Sequence, residues 1–450
     1  MRDLLVTAIL VGAIPISLVN PQFGMCMWYW VTYFNPHRFT WGFAYKLPAA
    51  MMVAVPTIVG ALFKKKMMRS FLSAESFLLM SLWGWFAITY IHAQNIPLFA
   101  ANMDDAAYEM GHISKILLMT FVMIVVVNSR ESIRNVIYVT AGSLGVLGLK
   151  SALFGFRSSG ESRVLGPPDS FLRENNAYGL ALNMVLPLLF FLAREEPRKW
   201  VRVILRILFA ACIVSILLTY SRGGLLGLAA VITVLTLRSR HKVIAGFLLA
   251  VTVLMVLSFA PPTWMNRMGD FAGGHLDGSA NMRITSWTVA WRLAQDYPMG
   301  GSFDAVPNVD VYRHYQPRPL PDDAPSSGPH SIYFQLLGDQ GYLGLGIFLI
   351  LMVCCFWSLL EVRRVGRRVP EANWLVTYSQ MVETSILAFM VSGAFLGVVY
   401  LDVIYEMIGL TIILKMLSRQ ELRESIANYE GATVGEELAV EASEEVPVPS

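Results

Sequence analysis

Apolar stretches of membrane-spanning length run through most of this chain, and they restrict its fold more than any motif does. They fall near 3–19, 43–63, 71–93, 113–128, 135–153, 177–193, 203–220, 224–237, 243–260, 331–360, 379–400 and 403–417. Crossing about 30 Å of hydrocarbon takes roughly 20 apolar residues in a helix, and each backbone polar group must find its partner inside the protein. The pattern predicts an all-α, polytopic membrane protein with about 12 transmembrane helices, of which 224–237 is short. Composition agrees: 15% of residues are charged and 55% hydrophobic, against about 25% charged in a soluble domain. A net charge of +3 over 450 residues gives no footing for nucleic acid. The four cysteines, Cys26, Cys212, Cys354 and Cys355, lie inside apolar runs, which excludes a disulfide framework.

Basic residues set the expected orientation. Alternate connections carry Lys64–Lys66 with Arg69, Arg130 and Arg134, Arg194–Arg206, Arg238–Lys242, Arg363–Arg368, and Lys415 with Arg419 and Arg423. With Arg2 these hold 22 of the 35 Lys and Arg residues. By the positive-inside rule they are cytoplasmic, together with both termini. Three regions follow: 1–220, a transmembrane part with an aromatic interfacial segment over Met25–Tyr45; 221–417, a core that includes an outward loop at 261–330; and 418–450, an acidic tail expected to be disordered.

The opposite face carries arginines against the topological preference. Arg222 lies in a tight turn beside Gly223-Gly224, and its planar guanidinium suits bidentate capture of a phosphate. Arg157, Arg163 and Arg173 lie between 154 and 175, where Arg157 and Arg173 read as ordinary loop charge. Within the long loop, Ile284, Trp287, Trp291 and Ala294 mark one face of an amphipathic helix over Arg283–Gln295. Six prolines between Pro307 and Pro329 predict an extended segment behind it. Pro329 then places a helix start near His330. The positive end of that helix dipole favours a neutral imidazole, which accepts a proton. Ser331, Gln335, Asp339 and Tyr342 continue on one stripe, with Asp339 roughly 13 Å along the helix. An ionisable group at that depth marks a functional site by default. Asp104-Asp105 and Asp322-Asp323 read as solvated pairs, and no metal-ligand motif stands out.

Three stretches carry a resemblance: Ser221-Arg222-Gly223-Gly224; Arg283 with Trp287 and then Asp296-Tyr297-Pro298-Met299-Gly300-Gly301; and His330-Ser331 leading to Asp339-Gln340-Gly341-Tyr342-Leu343-Gly344. In order and spacing they resemble the O-antigen ligase and polymerase superfamily of bacterial membrane glycosyltransferases. Ser331 and Asp339 stand where that family more often has Asn and Glu. Asn35-Pro36-His37-Arg38-Phe39-Thr40-Trp41-Gly42-Phe43 resembles the O-glycosylation ligases that accompany the exosortase A system. The resemblance implies a reaction on the periplasmic side of a bacterial inner membrane. A glycan on undecaprenyl diphosphate passes to a hydroxyl of a protein, lipid or polysaccharide acceptor. It further implies no metal and no cofactor, with Arg222 and a second arginine on the diphosphate and His330 on the acceptor. Arg283 is the first choice for that second arginine and Arg163 the reserve; Asp339 is the second expected catalytic residue.

Two other readings share these residues. A polymerase uses the same electrophile to extend the lipid-linked glycan, and a transporter would show polar groups and broken helices at mid-membrane. Sidedness separates all of them from an inward-facing protein. A cysteine introduced at Ser327, in a background lacking the native cysteines, should react with a membrane-impermeant reagent from the outside; labelling from the cytoplasmic side alone would reject the orientation.

Overall fold

The computed structural model describes residues 1–63, 73–158, 163–238, 278–317 and 326–444, together with Gly246. The helices are α1 (Arg2–Val19), α2 (Pro21–Phe34), α3 (Ala49–Leu62), α4 (Ala74–Ala93), α5 (Met103–Val126), α6 (Arg130–Arg157) and α7 (Asn175–Glu195). They continue with α8 (Lys199–Leu218), α9 (Arg222–Arg238), α10 (Gly278–Asp296), α11 (Val309–Tyr315), α12 (Ile332–Arg368), α13 (Trp374–Gly393) and α14 (Asp402–Glu444). No strand occurs among the described residues. Seven helical segments among them are long and apolar enough to cross a membrane: α1, α4, Pro97–Val126, α6, α7, α8 and α12. The expected count of twelve is therefore not reached there, and the 243–260 run lies outside the described residues apart from Gly246.

α7 is the axis of the bundle. Of its most apolar stretch, 89% is buried, with α6, α8, α9 and α13 packed around it. Gly145, Gly148 and Gly155 let α6 approach α8 closely, and the Ser215 hydroxyl donates to Gly148 O at 2.6 Å. Buried charges pin the helix ends. Lys415 of α14 donates to the buried Glu75 of α4 at 2.8 Å, and Ser358 of α12 donates to the same carboxylate. Arg238 and Arg363 converge on Glu383, while Arg134 and Arg198 converge on Glu196. The Arg130 guanidinium lies over the Trp374 ring, and Thr377 donates to Glu195. Among the described residues, Arg130, Arg134, Arg198, Arg238 and Arg363 thus gather at one end of the bundle.

Two expectations are corrected, the extended proline-rich segment and the disordered tail. The aromatic segment begins as α2, which packs against α1, α3 and α6 with Trp28, Tyr29 and Tyr33 buried. Burying Tyr33 is possible because its hydroxyl donates to Glu406 at 2.7 Å. The proline-rich segment contains α11, whose first turn is capped by the Asn308 side chain. The chain after Ser418 continues α14 as far as Glu444 instead of becoming disordered.

The long loop is folded down onto the bundle. Val289, Ala290 and Leu293 of α10 pack with Ala305, Val306, Val311, Tyr312 and Tyr315, and with Ala93 and Phe99 beneath them. A helix therefore exists where the periodicity placed it, but its buried face is Ser286, Val289, Ala290, Leu293 and Ala294, while Ile284 and Trp291 are exposed. Trp287 belongs to the packed side, stacked on Phe334 with ring centroids 5.0 Å apart.

Candidate functional site

At the end of the bundle away from the basic connections, two helix starts meet one wall. The wall is the stretch from Gly393 to Leu401, which joins α13 to α14. A Cβ added at Gly393 would lie 2.7 Å from the Ile332 side chain, and one at Gly397 would lie 3.3 Å from His330 N and Cα. On the other flank, a Cβ at Gly223 would lie 2.8 Å from Leu396. The start of α12 and the start of α9 therefore press on the same few residues.

His330 precedes α12 in a left-handed conformation, φ +45°, with Ser331 as the extended N-cap residue. A non-glycine residue there costs roughly 1–3 kcal/mol and persists only where its surroundings hold it. The holders are visible. Pro329 O accepts the Trp287 indole N–H at 2.6 Å, and Gly397 closes on the His330 backbone. Burial lowers the His330 pKa from its usual value, the Arg283 guanidinium pushes the same way, and Glu174 opposes both. The side chain is consequently a neutral imidazole at pH 7, as the helix start alone suggested.

Arg222 is the first residue of α9, half-buried. Tyr220 turns the chain at φ +56°, and the Ser221 hydroxyl accepts from Gly224 N at 3.1 Å while donating to Asn176. Asn175 donates to Thr219 O at 2.9 Å, so the Asn175-Asn176 pair anchors this corner. A guanidinium at a helix N-terminus, at the positive end of the helix dipole, suits an anion.

Asp339 stands apart from the open space. It is 1% exposed, accepts from the Tyr400 hydroxyl at 3.0 Å and from Ala305 N at 3.1 Å, and so ties α12 to the folded loop. The expected stripe stops soon after it. Gly341 breaks the helix with φ +65°, leaving Tyr342 at 43% exposure while Ser331, Gln335 and Asp339 are buried.

Sequence reasoning missed a cavity of about 350 Å³ next to Gly397. Glu109, Glu174, Asp304, Gln335 and Tyr400 line it. Burial and the nearby Asp105 raise the Asp304 carboxyl above its ordinary range. These acids come from three separate segments, and no spacing in the sequence links them. Arg163 lines a different cavity with Lys150, while Arg157 and Arg173 are exposed, Arg173 facing Asp169 at 3.8 Å. Asp104 and Asp105 are exposed, and Asp322-Asp323 lie outside the described residues. Arg283 is thus close to His330, the start of α9 that carries Arg222 abuts the same wall through Gly223, and Arg163 lines a separate cavity.

Residues 207–349 match the family described as O-Antigen ligase, and residues 1–197 match a family of unknown function. The first stretch contains Arg222, Arg283, His330 and Asp339 and supports the O-antigen ligase superfamily, whose members are membrane ligases and polymerases of glycans. No curated protein matches the chain.

Because its folded pKa lies below the unfolded one, His330 resists protonation, and stability is lost as pH falls from about 6.5 toward the depressed value. Titration of a ¹⁵N-labelled His330 imidazole by NMR should show Glu174→Gln lowering this pKa further and Arg283→Gln raising it. No movement in either variant would remove both residues from the imidazole's surroundings.

Proposed function

We propose that this protein is a membrane glycosyltransferase of the O-antigen ligase type, acting on the outer face of a bacterial inner membrane without a metal. Its donor is a glycan on undecaprenyl diphosphate and its acceptor is a hydroxyl. The observation that supports this reading is a neutral His330 close to Arg283, at the wall that the start of α9 also abuts, within the stretch that matches the ligase family. The motif Asn35–Phe43 narrows the proposal toward the O-glycosylation ligases that accompany exosortase A.

The chemistry follows from charge. The acceptor oxygen attacks the anomeric carbon, the bond from that carbon to the phosphate oxygen breaks, and the lipid diphosphate leaves with the electron pair. Negative charge grows on the leaving oxygen, so guanidinium groups fixed beside it stabilise the transition state more than the ground state. His330 takes the acceptor's proton, which only a neutral imidazole can do. Asp339 is assigned a positioning role, because both its carboxylate oxygens are engaged by Tyr400 and Ala305.

The test uses purified protein with a lipid-diphosphate donor. His330→Ala should lower turnover by roughly 10²–10⁴-fold with donor binding retained, and Arg222→Lys should impair transfer while the protein stays inserted. Wild-type turnover should rise with pH through a His pKa below the usual 6.5. Near-normal turnover per folded molecule in His330→Ala, with reduced thermal stability, would make His330 a structural cap and overturn the assignment.

A further inference from the structure

A second cavity, of about 270 Å³, lies away from the His330 wall. Leu147, Lys150, Ser151 and Phe154 of α6 line one side; Phe39, Arg163 and Tyr178 close it. Lys150 is 20 residues beyond Arg130 on α6, about 30 Å of helix, which is the thickness of the hydrocarbon core. Arg163 and Lys150 are both cations, and no carboxylate lines the cavity among the described residues. Neither forms an ion pair with a described residue. The Lys150 ammonium sits 3.8 Å from the centroid of the Phe39 ring.

Lys150 and Arg163 are both exposed, and two features of their surroundings suit a ligand. Ser151 and Tyr178 hydroxyls share one hydrogen bond at 3.0 Å, which leaves one of their two protons to donate into the cavity. Of the lining residues, Phe154 and Leu165 are 51% and 52% exposed. Two cations and a hydroxyl donor form a pocket for a small anion; the apolar rim is a surface for a hydrocarbon chain.

We propose that this cavity binds the phosphate of a membrane lipid, with Lys150 and Arg163 on the phosphate and the lipid tail along Phe154 and Leu165. The proposal is independent of the transferase reading, since none of these residues lies at the His330 wall. Val164 N donates to Leu218 O at 3.1 Å, so a lipid held by Arg163 would also brace the segment packed on the end of α8.

The experiment is native mass spectrometry of the full chain, released from nanodiscs of equal phosphatidylglycerol and phosphatidylcholine. The wild type should retain phosphatidylglycerol preferentially. Each cation near an anionic lipid contributes roughly fivefold, so Lys150→Gln/Arg163→Gln should weaken retention on the order of 25-fold. The charge-keeping variant Lys150→Arg/Arg163→Lys should retain it. Equal retention by wild type and double Gln variant would overturn the site. Displacement of the lipid by millimolar inorganic phosphate would show a soluble-anion site and overturn the lipid assignment. Displacement by a lipid-diphosphate donor would make the cavity part of the donor site and overturn the proposal equally.

Discussion

Everything at the His330 end rests on a hydrogen-bond exchange between the Pro298–Ser302 turn and the break in α12. Backbone polar groups buried away from water must be paired, and a helix broken at Gly341 loses some of its own partners. The turn supplies replacements: Gly301 N donates to Gly338 O at 2.9 Å, Ser302 N to Asp339 O at 2.8 Å, and Tyr342 N to Pro298 O at 3.1 Å. The approach is close enough to require glycine. A Cβ at Gly341 would sit 2.0 Å from Pro298 O, and one at Gly300 would sit 2.5 Å from Asp339 O. Both residues also have positive φ, +65° and +84°. The two glycine-bearing motifs, some 40 residues apart in the chain, are therefore halves of one joint.

From that joint the rest follows in order. Asp339 and Gln340 point into the bundle, where Tyr400, Trp85 and Thr89 pair with them. The loop is thereby fixed over the helices, α10 is carried to the start of α12, and Trp287 reaches Pro329 O. That contact and the Gly397 backbone hold His330 in its strained conformation, where burial and then the nearby Arg283 lower its pKa. Local strain of this kind at a polar cluster belongs to a site whose geometry is imposed by its surroundings.

Much of this was legible in the sequence, and the reasons differ by element. Helices such as α6 and α7 announced themselves by length and apolarity, because a bilayer leaves the backbone no alternative. Charge asymmetry separated the basic connections from the motif-bearing ones, and the structure gathers the two sets at opposite ends. The His330 helix start was readable from Pro329, and α10 from its periodicity. What failed depended on partners distant in the chain. The burial of Tyr33 has no explanation in the sequence until Glu406 is seen to accept its hydroxyl, 373 positions away. The face of α10 was misread in part: Trp287 and Ala294 do lie on the packed side, but Ile284 and Trp291 are exposed and Ser286, Val289, Ala290 and Leu293 pack instead. Glu109, Glu174 and Asp304 share a cavity only after three segments fold together. The stripe through Tyr342 ended early because Gly341 was read as helix.

The central claim is that the wall between α13 and α14 imposes the working geometry of His330, and a double-mutant cycle tests it most directly. Gly397→Ala places a methyl 3.3 Å from the His330 backbone, tighter than an ordinary contact. Turnover of a lipid-diphosphate donor is measured in wild type, Gly397→Ala, His330→Ala and the double variant, alongside thermal midpoints. Residues that act through one another show non-additive effects. The expected result is a loss of turnover in Gly397→Ala at an unchanged midpoint, and no further loss when Gly397→Ala is added to His330→Ala. Undiminished turnover in Gly397→Ala, or losses that simply add in the double variant, would contradict it.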